Sequence, residues 1–67
     1  MKKISVSLSG HQTSISLEPE FVTVLRDIAS KQGKSVASVI AEIDSKRGVK
    51  TNLSSAIRIW VLKHVMK

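Results

Sequence analysis

Few side chains in this 67-residue sequence could carry out chemistry. It has two histidines, His11 and His64, five carboxylates (Glu18, Glu20, Asp27, Glu42 and Asp44) and no cysteine. The histidines lie far apart in sequence and lack the spacing of metal ligands, and without thiolates a structural zinc site has no donor set. No cysteine nucleophile, no Ser-His-Asp arrangement and no carboxylate pair in a pocket can be argued from these residues. The sequence therefore predicts no enzyme, no cofactor and no metal. Gly33-Lys34-Ser35 echoes the end of a phosphate-binding P-loop, but that motif needs a glycine five residues earlier, where Ile28 stands. Asn52-Leu53-Ser54 has the form of a glycosylation acceptor, yet nothing in the sequence points to secretion. His11 reads as an exposed turn residue, His64 as a partly buried packing residue and Trp60 as an interface anchor.

What the sequence does hold is positive charge. Eleven lysines and arginines against five acids give a formal net charge of +6 and a pI near 10.2. The acids all fall in the middle. The first seventeen residues contain Lys2 and Lys3 and no acid, and from Ser45 onward Lys46, Arg47, Lys50, Arg58, Lys63 and Lys67 occur without one. Such a field favours a polyanion, nucleic acid or an anionic membrane surface, over a neutral partner.

The elements that must position these charges form a single small domain. A chain this short sits near the lower limit for a core that folds unaided, so help from disulfides, metal or oligomerisation is expected. With the first two unsupported, oligomerisation remains, and a hydrophobic content of 42% would supply the surface. No run is long and apolar enough to span a bilayer, no signal peptide is visible behind Met1-Lys2-Lys3, and a cytoplasmic location is expected.

Ile4, Val6 and Leu8 alternate with Ser5 and Ser7. Thr13, Ile15 and Leu17 alternate with Gln12, Ser14 and Ser16. Both runs predict strands with one apolar face. The apolar positions are even in the first run and odd in the second, so a continuous strand would have to switch faces. Ser9-Gly10-His11 can absorb that change as a turn or bulge, which makes the first run either a hairpin partner or a separate arm. Glu18-Pro19-Glu20 opens a helix, with proline at the first helical position and acids at the positive end of the dipole. Its apolar stripe is Phe21, Val24, Leu25, Ile28 and Ala29, and Gly33 is a candidate left-handed terminator. Ser35 caps a second helix with the stripe Val36, Val39, Ile40 and Ile43, ended by Gly48. Asn52 or Thr51 caps a third helix from Leu53, apolar over most of its circumference. Such a helix must be buried on more than one side, for which a partner subunit is the natural cover.

A short strand before two helices cannot form a stable sheet alone. Pairing with the same strand of a second copy would give a two-stranded ribbon of a width that fits the major groove. Gln12, Ser14 and Ser16 would then face outward toward the bases, with Thr13, Ile15 and Leu17 inward.

In this order and spacing, Ser14-Ile15-Ser16-Leu17-Glu18-Pro19-Glu20-Phe21, Leu25-Arg26-Asp27-Ile28-Ala29 and Gly33-Lys34-Ser35-Val36 with Ile40 resemble the ribbon-helix-helix (MetJ/Arc) superfamily over residues 12–47. Gly10-His11-Gln12-Thr13-Ser14-Ile15-Ser16-Leu17-Glu18-Pro19 and Asn52-Leu53-Ser54-Ser55-Ala56-Ile57-Arg58 resemble a subfamily of short bacterial members over nearly the whole chain. The resemblance implies a mainly α fold with a short β-ribbon, in an intertwined homodimer. It also implies double-stranded DNA binding as a transcriptional repressor, and a phosphate contact at the start of the second helix. For that contact the free N–H groups at Ser35 and Val36 and the charge of Lys34 are suited; Lys2 and Lys3 would meet phosphates separately, from an N-terminal arm. The implied division is an N-terminal strand or arm (1–10), a ribbon-helix-helix core (11–48) and a C-terminal helix completing the dimer core (49–67). Ile15, Leu17, Phe21, Leu25, Ile28, Val36, Ile40, Ile57 and Trp60 are the expected dimer core.

One departure bears on specificity. Strands that read DNA in this superfamily often carry arginine, lysine or asparagine, whereas two of the three outward positions here are serine, which discriminates poorly between bases. The alternative function is a protein-interaction module, an antitoxin or adaptor, docking through the hydrophobic third helix. A third reading, in which Ile59 to Met66 with Lys63 and Lys67 lie on a membrane surface, lacks the broad charged face such a helix requires.

Overall fold

The computed structural model of the chain describes residues 1–8, 10–48 and 51–66. Ser9, Val49, Lys50 and Lys67, on which part of the expected turn and part of the C-terminal basic field fall, lie outside the described residues.

Two strands, β1 (Lys2–Leu8) and β2 (His11–Leu17), precede three helices, α1 (Pro19–Lys31), α2 (Val36–Lys46) and α3 (Leu53–Val65). The strands form a two-stranded antiparallel sheet within the chain. Ile4 stands opposite Ile15, Val6 opposite Thr13, and Ser5 opposite Ser14. Even positions therefore face odd ones. The opposite parities of the two apolar runs, awkward for one continuous strand, bring both sets onto one face of a hairpin. Gly10, with φ of 81°, supplies a backbone conformation that other residues adopt at a cost. Residues 4–8, whose pairing the sequence left open, thus pair within the chain as the hairpin partner of β2.

The apolar face of the hairpin lies on the helices, β1 against α2 and β2 against α3. Val6, Ile15 and Leu17 are buried there, with Ile4 and Leu8 partly buried beside them. Glu18 precedes α1 in extended conformation, without a capping side-chain bond, and Pro19 opens the helix. Gly33 ends it in left-handed geometry, φ 68°. Its N–H donates to the Ser30 carbonyl at 3.0 Å and that of Lys34 to the Ala29 carbonyl at 2.9 Å, the paired bonds of a Schellman terminus.

The buried line of α1 is Leu25 and Ala29, both in the stripe the spacing predicts, joined by Val22, which that stripe did not include. Phe21, Val24 and Ile28, at the same intervals, form a neighbouring half-buried line. α2 and α3 pack against α1, which buries the first line and leaves the second at the margin.

In α2 the Ser35 hydroxyl accepts the Ser38 N–H at 3.1 Å, and Val39, Ile40 and Ile43 are buried. This helix ends at Lys46, with Arg47 extended as its C-cap, so Gly48 does not serve as a left-handed terminator. The Arg47 guanidinium instead donates to Asp44 at 2.6 Å and to the Thr51 carbonyl at 2.7 Å, closing the connection to α3. Asn52 caps α3 by accepting the Ser55 N–H at 2.8 Å. Ile57 and Val61 of α3 are buried, and Leu53, Ala56 and Trp60 partly so. Ile59, Leu62, Val65 and Met66 remain exposed in the single chain.

Candidate nucleic-acid interface

The face of the hairpin turned away from the helices is polar throughout. Along β2 it presents Gln12, Ser14 and Ser16, all exposed, as the alternation predicts. Along β1 it presents Ser7, Ser5 and Lys3 in the matching pairs: Ser7 opposite Gln12, Ser5 opposite Ser14, Lys3 opposite Ser16. The Ser5 and Ser14 hydroxyl oxygens lie 3.5 Å apart, so both side chains stand on the same side of the sheet. Neither strand carries an acid. Hydroxyls and a carboxamide both donate and accept hydrogen bonds, and all can meet base edges or phosphate oxygens.

Ion pairing redistributes the basic charge seen in the sequence. Lys31 pairs with Asp27 at 3.2 Å, and Glu42 takes both Lys34 at 2.9 Å and Lys46 at 3.7 Å. Arg47 pairs with Asp44, and Arg58 with Glu18 at 3.0 Å. Of the described residues in the C-terminal basic field, Lys46, Arg47 and Arg58 are therefore matched by acids and Lys63 is not. Among the described residues, Lys2, Lys3, Arg26 and Lys63 have no ion-pair partner, and two of these four lie at the start of the ribbon. Lys3 is on its polar face, and Lys2 is exposed at the strand end.

Arg58 reaches back forty positions to Glu18, donating from Nε to Oε1 at 3.0 Å and from Nη2 to Oε2 at 3.4 Å. This fork ties α3 to the junction of β2 with α1. The hydrogen bond from Arg58 holds the Glu18 carboxyl below its ordinary value, helped by its own backbone and opposed by desolvation. No local pattern signals the pair, because its members are separated by two helices.

At the start of α2, Lys34, Ser35 and Val36 come together as the sequence predicts, with the helix N-terminus beside them. Two features temper an anion site. The Ser35 hydroxyl already accepts one of the free N–H groups, and the Lys34 ammonium is engaged by Glu42, whose carboxyl is held low chiefly by that hydrogen bond. A phosphate here would compete with Glu42 for Lys34.

Of the residues expected to form a dimer core, Ile15, Leu17, Leu25, Ile40 and Ile57 are buried within the single chain. Phe21, Ile28, Val36 and Trp60 are half-buried. His64 stacks on Trp60, ring centroids 3.8 Å apart, and its Nδ1 lies 2.8 Å from the Trp60 carbonyl oxygen, a packing role. His11 is exposed at the start of β2. Among the described residues no cluster of His, Cys, Asp or Glu could hold a metal ion, and no helix is long and apolar enough to cross a membrane.

A family model described as a ribbon-helix-helix domain matches residues 1–65. No curated protein and no solved structure matches the chain.

Proposed function

Because the chain belongs to the ribbon-helix-helix domain family, whose members generally bind DNA as regulators of transcription and typically form dimers, we propose that it is a homodimeric transcriptional repressor that places its β-ribbon in the major groove. The observation that carries this reading is the polar face of the hairpin: exposed, free of acids, and next to cations, Lys2 and Lys3, that no carboxylate among the described residues pairs with. Gln12 is the residue suited to base discrimination, since its carboxamide can bond adenine at two atoms. Ser14 and Ser16 add bonds that differ little between bases. Lys2, Lys3 and the start of α2 at Lys34, Ser35 and Val36 meet phosphates, which position the protein without reading sequence.

A second copy is the cover for the exposed side of α3. Ile59, Leu62 and Val65 form an apolar line, and the half-buried Phe21, Val24 and Ile28 of α1 offer another. A partner protein on the α3 line is the competing reading. It is favoured by the same exposed residues, but it leaves the charge at the ribbon without a role.

The test is fluorescence anisotropy on a labelled duplex from the gene's own upstream region, with scrambled competitor, at several salt concentrations. A repressor survives the competitor and loses affinity steeply with salt as phosphate contacts release counterions. Binding removed by the competitor would replace repression with a nonspecific role. Absence of binding at low salt would defeat the DNA reading and favour the protein partner.

A further inference from the structure

We propose that the groove between α2 and α3 binds a small organic acid: a compact apolar body, of the size of one ring, that carries a carboxylate. The site goes beyond the DNA reading and shares no residue with the polar face of the hairpin.

The groove holds about 230 Å³. A cavity of about 150 Å³ with apolar walls takes up benzene, so this one has room for a single ring with a short acidic arm. Its floor is apolar and comes from both helices, Ile43 of α2 with Ala56, Ile59 and Trp60 of α3. Ile43 is buried, and Ala56 and Trp60 are half-buried. The Trp60 ring is held in place. His64 stacks on it with ring centroids 3.8 Å apart, and the imidazole is fixed in turn by the 2.8 Å contact of its Nδ1 with the Trp60 carbonyl oxygen. A wall that is set before the ligand arrives costs little ordering on binding.

Charge selects the class of ligand. Among the described residues the rim carries Lys46, Arg47 and Lys63 against one acid, Glu42. That acid is already committed: its Oε2 lies 2.9 Å from the Lys34 ammonium and its Oε1 3.7 Å from that of Lys46. Arg47 is held by Asp44 and by the Thr51 carbonyl. Lys63 has no ion-pair partner among the described residues. Lys46, with its side chain 76% exposed, keeps only the long contact to Glu42. Two ammonium groups with charge to spare beside an apolar floor attract an anion and repel an amine, while the floor orients the apolar body. Ile59 belongs both to this groove and to the exposed apolar line of α3, so a bound acid reaches the surface that faces a second copy.

Trp60 is the single tryptophan of the chain, and its emission reports on the site directly. The full chain, without DNA, is titrated with para-methylbenzoate, para-methylbenzyl alcohol and para-methylbenzylamine, probes of one shape and different charge. The acid should change Trp60 emission saturably and bind more tightly than the alcohol, with the amine weakest. Lys63→Gln, at an exposed position, should weaken the acid about two- to fivefold, the worth of one exposed ion pair, and leave the alcohol unchanged. Lys63→Glu should bring the amine above the acid, a reversal that misfolding cannot produce. Equal affinity for acid and alcohol, or an acid preference that survives Lys63→Glu, overturns the proposal. Emission that responds to protein dilution and not to the acid also overturns it, and assigns the groove to a second copy. Because no DNA is present, each of these failures leaves the repressor reading standing.

Discussion

The docking of α3 makes the sharpest energetic prediction. Ile57 is 0% exposed and sits in the core with residues of the hairpin and the other helices. Leu62, on the far side of the same helix, is 52% exposed. Ile57→Ala removes buried carbons worth about 0.8 kcal/mol each and leaves a cavity, for a total cost of about 2–5 kcal/mol. A chain of this length is stabilised by only about 0.05–0.15 kcal/mol per residue, so the variant should lose a large part of its stability. Thermal melting followed by circular dichroism should fall by about 4–8 °C per kcal/mol. Leu62→Ala measured alongside separates the single chain from the assembly. If a second copy covers α3, Leu62→Ala lowers Tm by an amount that depends on protein concentration, because the lost contact lies between subunits. In a monomer the same change stays within about 0.5 kcal/mol. An Ile57→Ala cost below about 1 kcal/mol would refute the packing of α3 onto the core. A concentration-independent Leu62→Ala would refute α3 as the dimer face.

Gly33→Ala should cost about 1–2 kcal/mol in chemical denaturation, from the left-handed backbone alone, since nothing lies within 4 Å of an added Cβ; an unchanged midpoint would remove the Schellman terminus from the account. Glu18 has a folded pKa below its ordinary 4.5, so the stability it contributes is present above that value and lost as pH falls through the lowered one. The Tm advantage of the unaltered chain over Glu18→Gln should therefore shrink on acidification below about pH 4.5; an advantage that grew instead would contradict the Arg58 pairing. If Lys34 meets phosphate, Lys34→Ala should reduce the slope of log affinity against log salt by about one, and Glu42→Gln, by releasing Lys34, should tighten binding; unchanged slopes in both variants would remove the helix start from the interface.

Helix positions were legible because their signals are local. Pro19, Ser35, Asn52 and Gly33 each mark a boundary through their own backbone chemistry, and all four act there. The alternation of β2 assigned Gln12, Ser14 and Ser16 to the exposed face in the same way. The partner of β2 was harder to read, because alternation shows which face is apolar and not which strand lies alongside. The opposed parities of the two runs, with only Ser9 and Gly10 between them, were the available signal for a hairpin. In α1 the spacing identified Leu25 and Ala29 as inward but chose Phe21 over Val22, because both positions are apolar and tertiary packing decides between them. Charge was the least legible feature. The sequence presents Arg47 and Arg58 as part of a basic field, yet Asp44 and, across forty positions, Glu18 engage them. Among the described residues the cations left without an ion-pair partner are Lys2, Lys3, Arg26 and Lys63.

The most direct measurement is a titration of isotope-labelled protein with duplex DNA, followed by amide and side-chain chemical shifts. The account predicts that the largest changes fall on Lys3, Ser14, Ser16 and the side-chain amide of Gln12, with smaller ones at Ser35 and Val36. Changes confined to α3, with the ribbon silent, would contradict it.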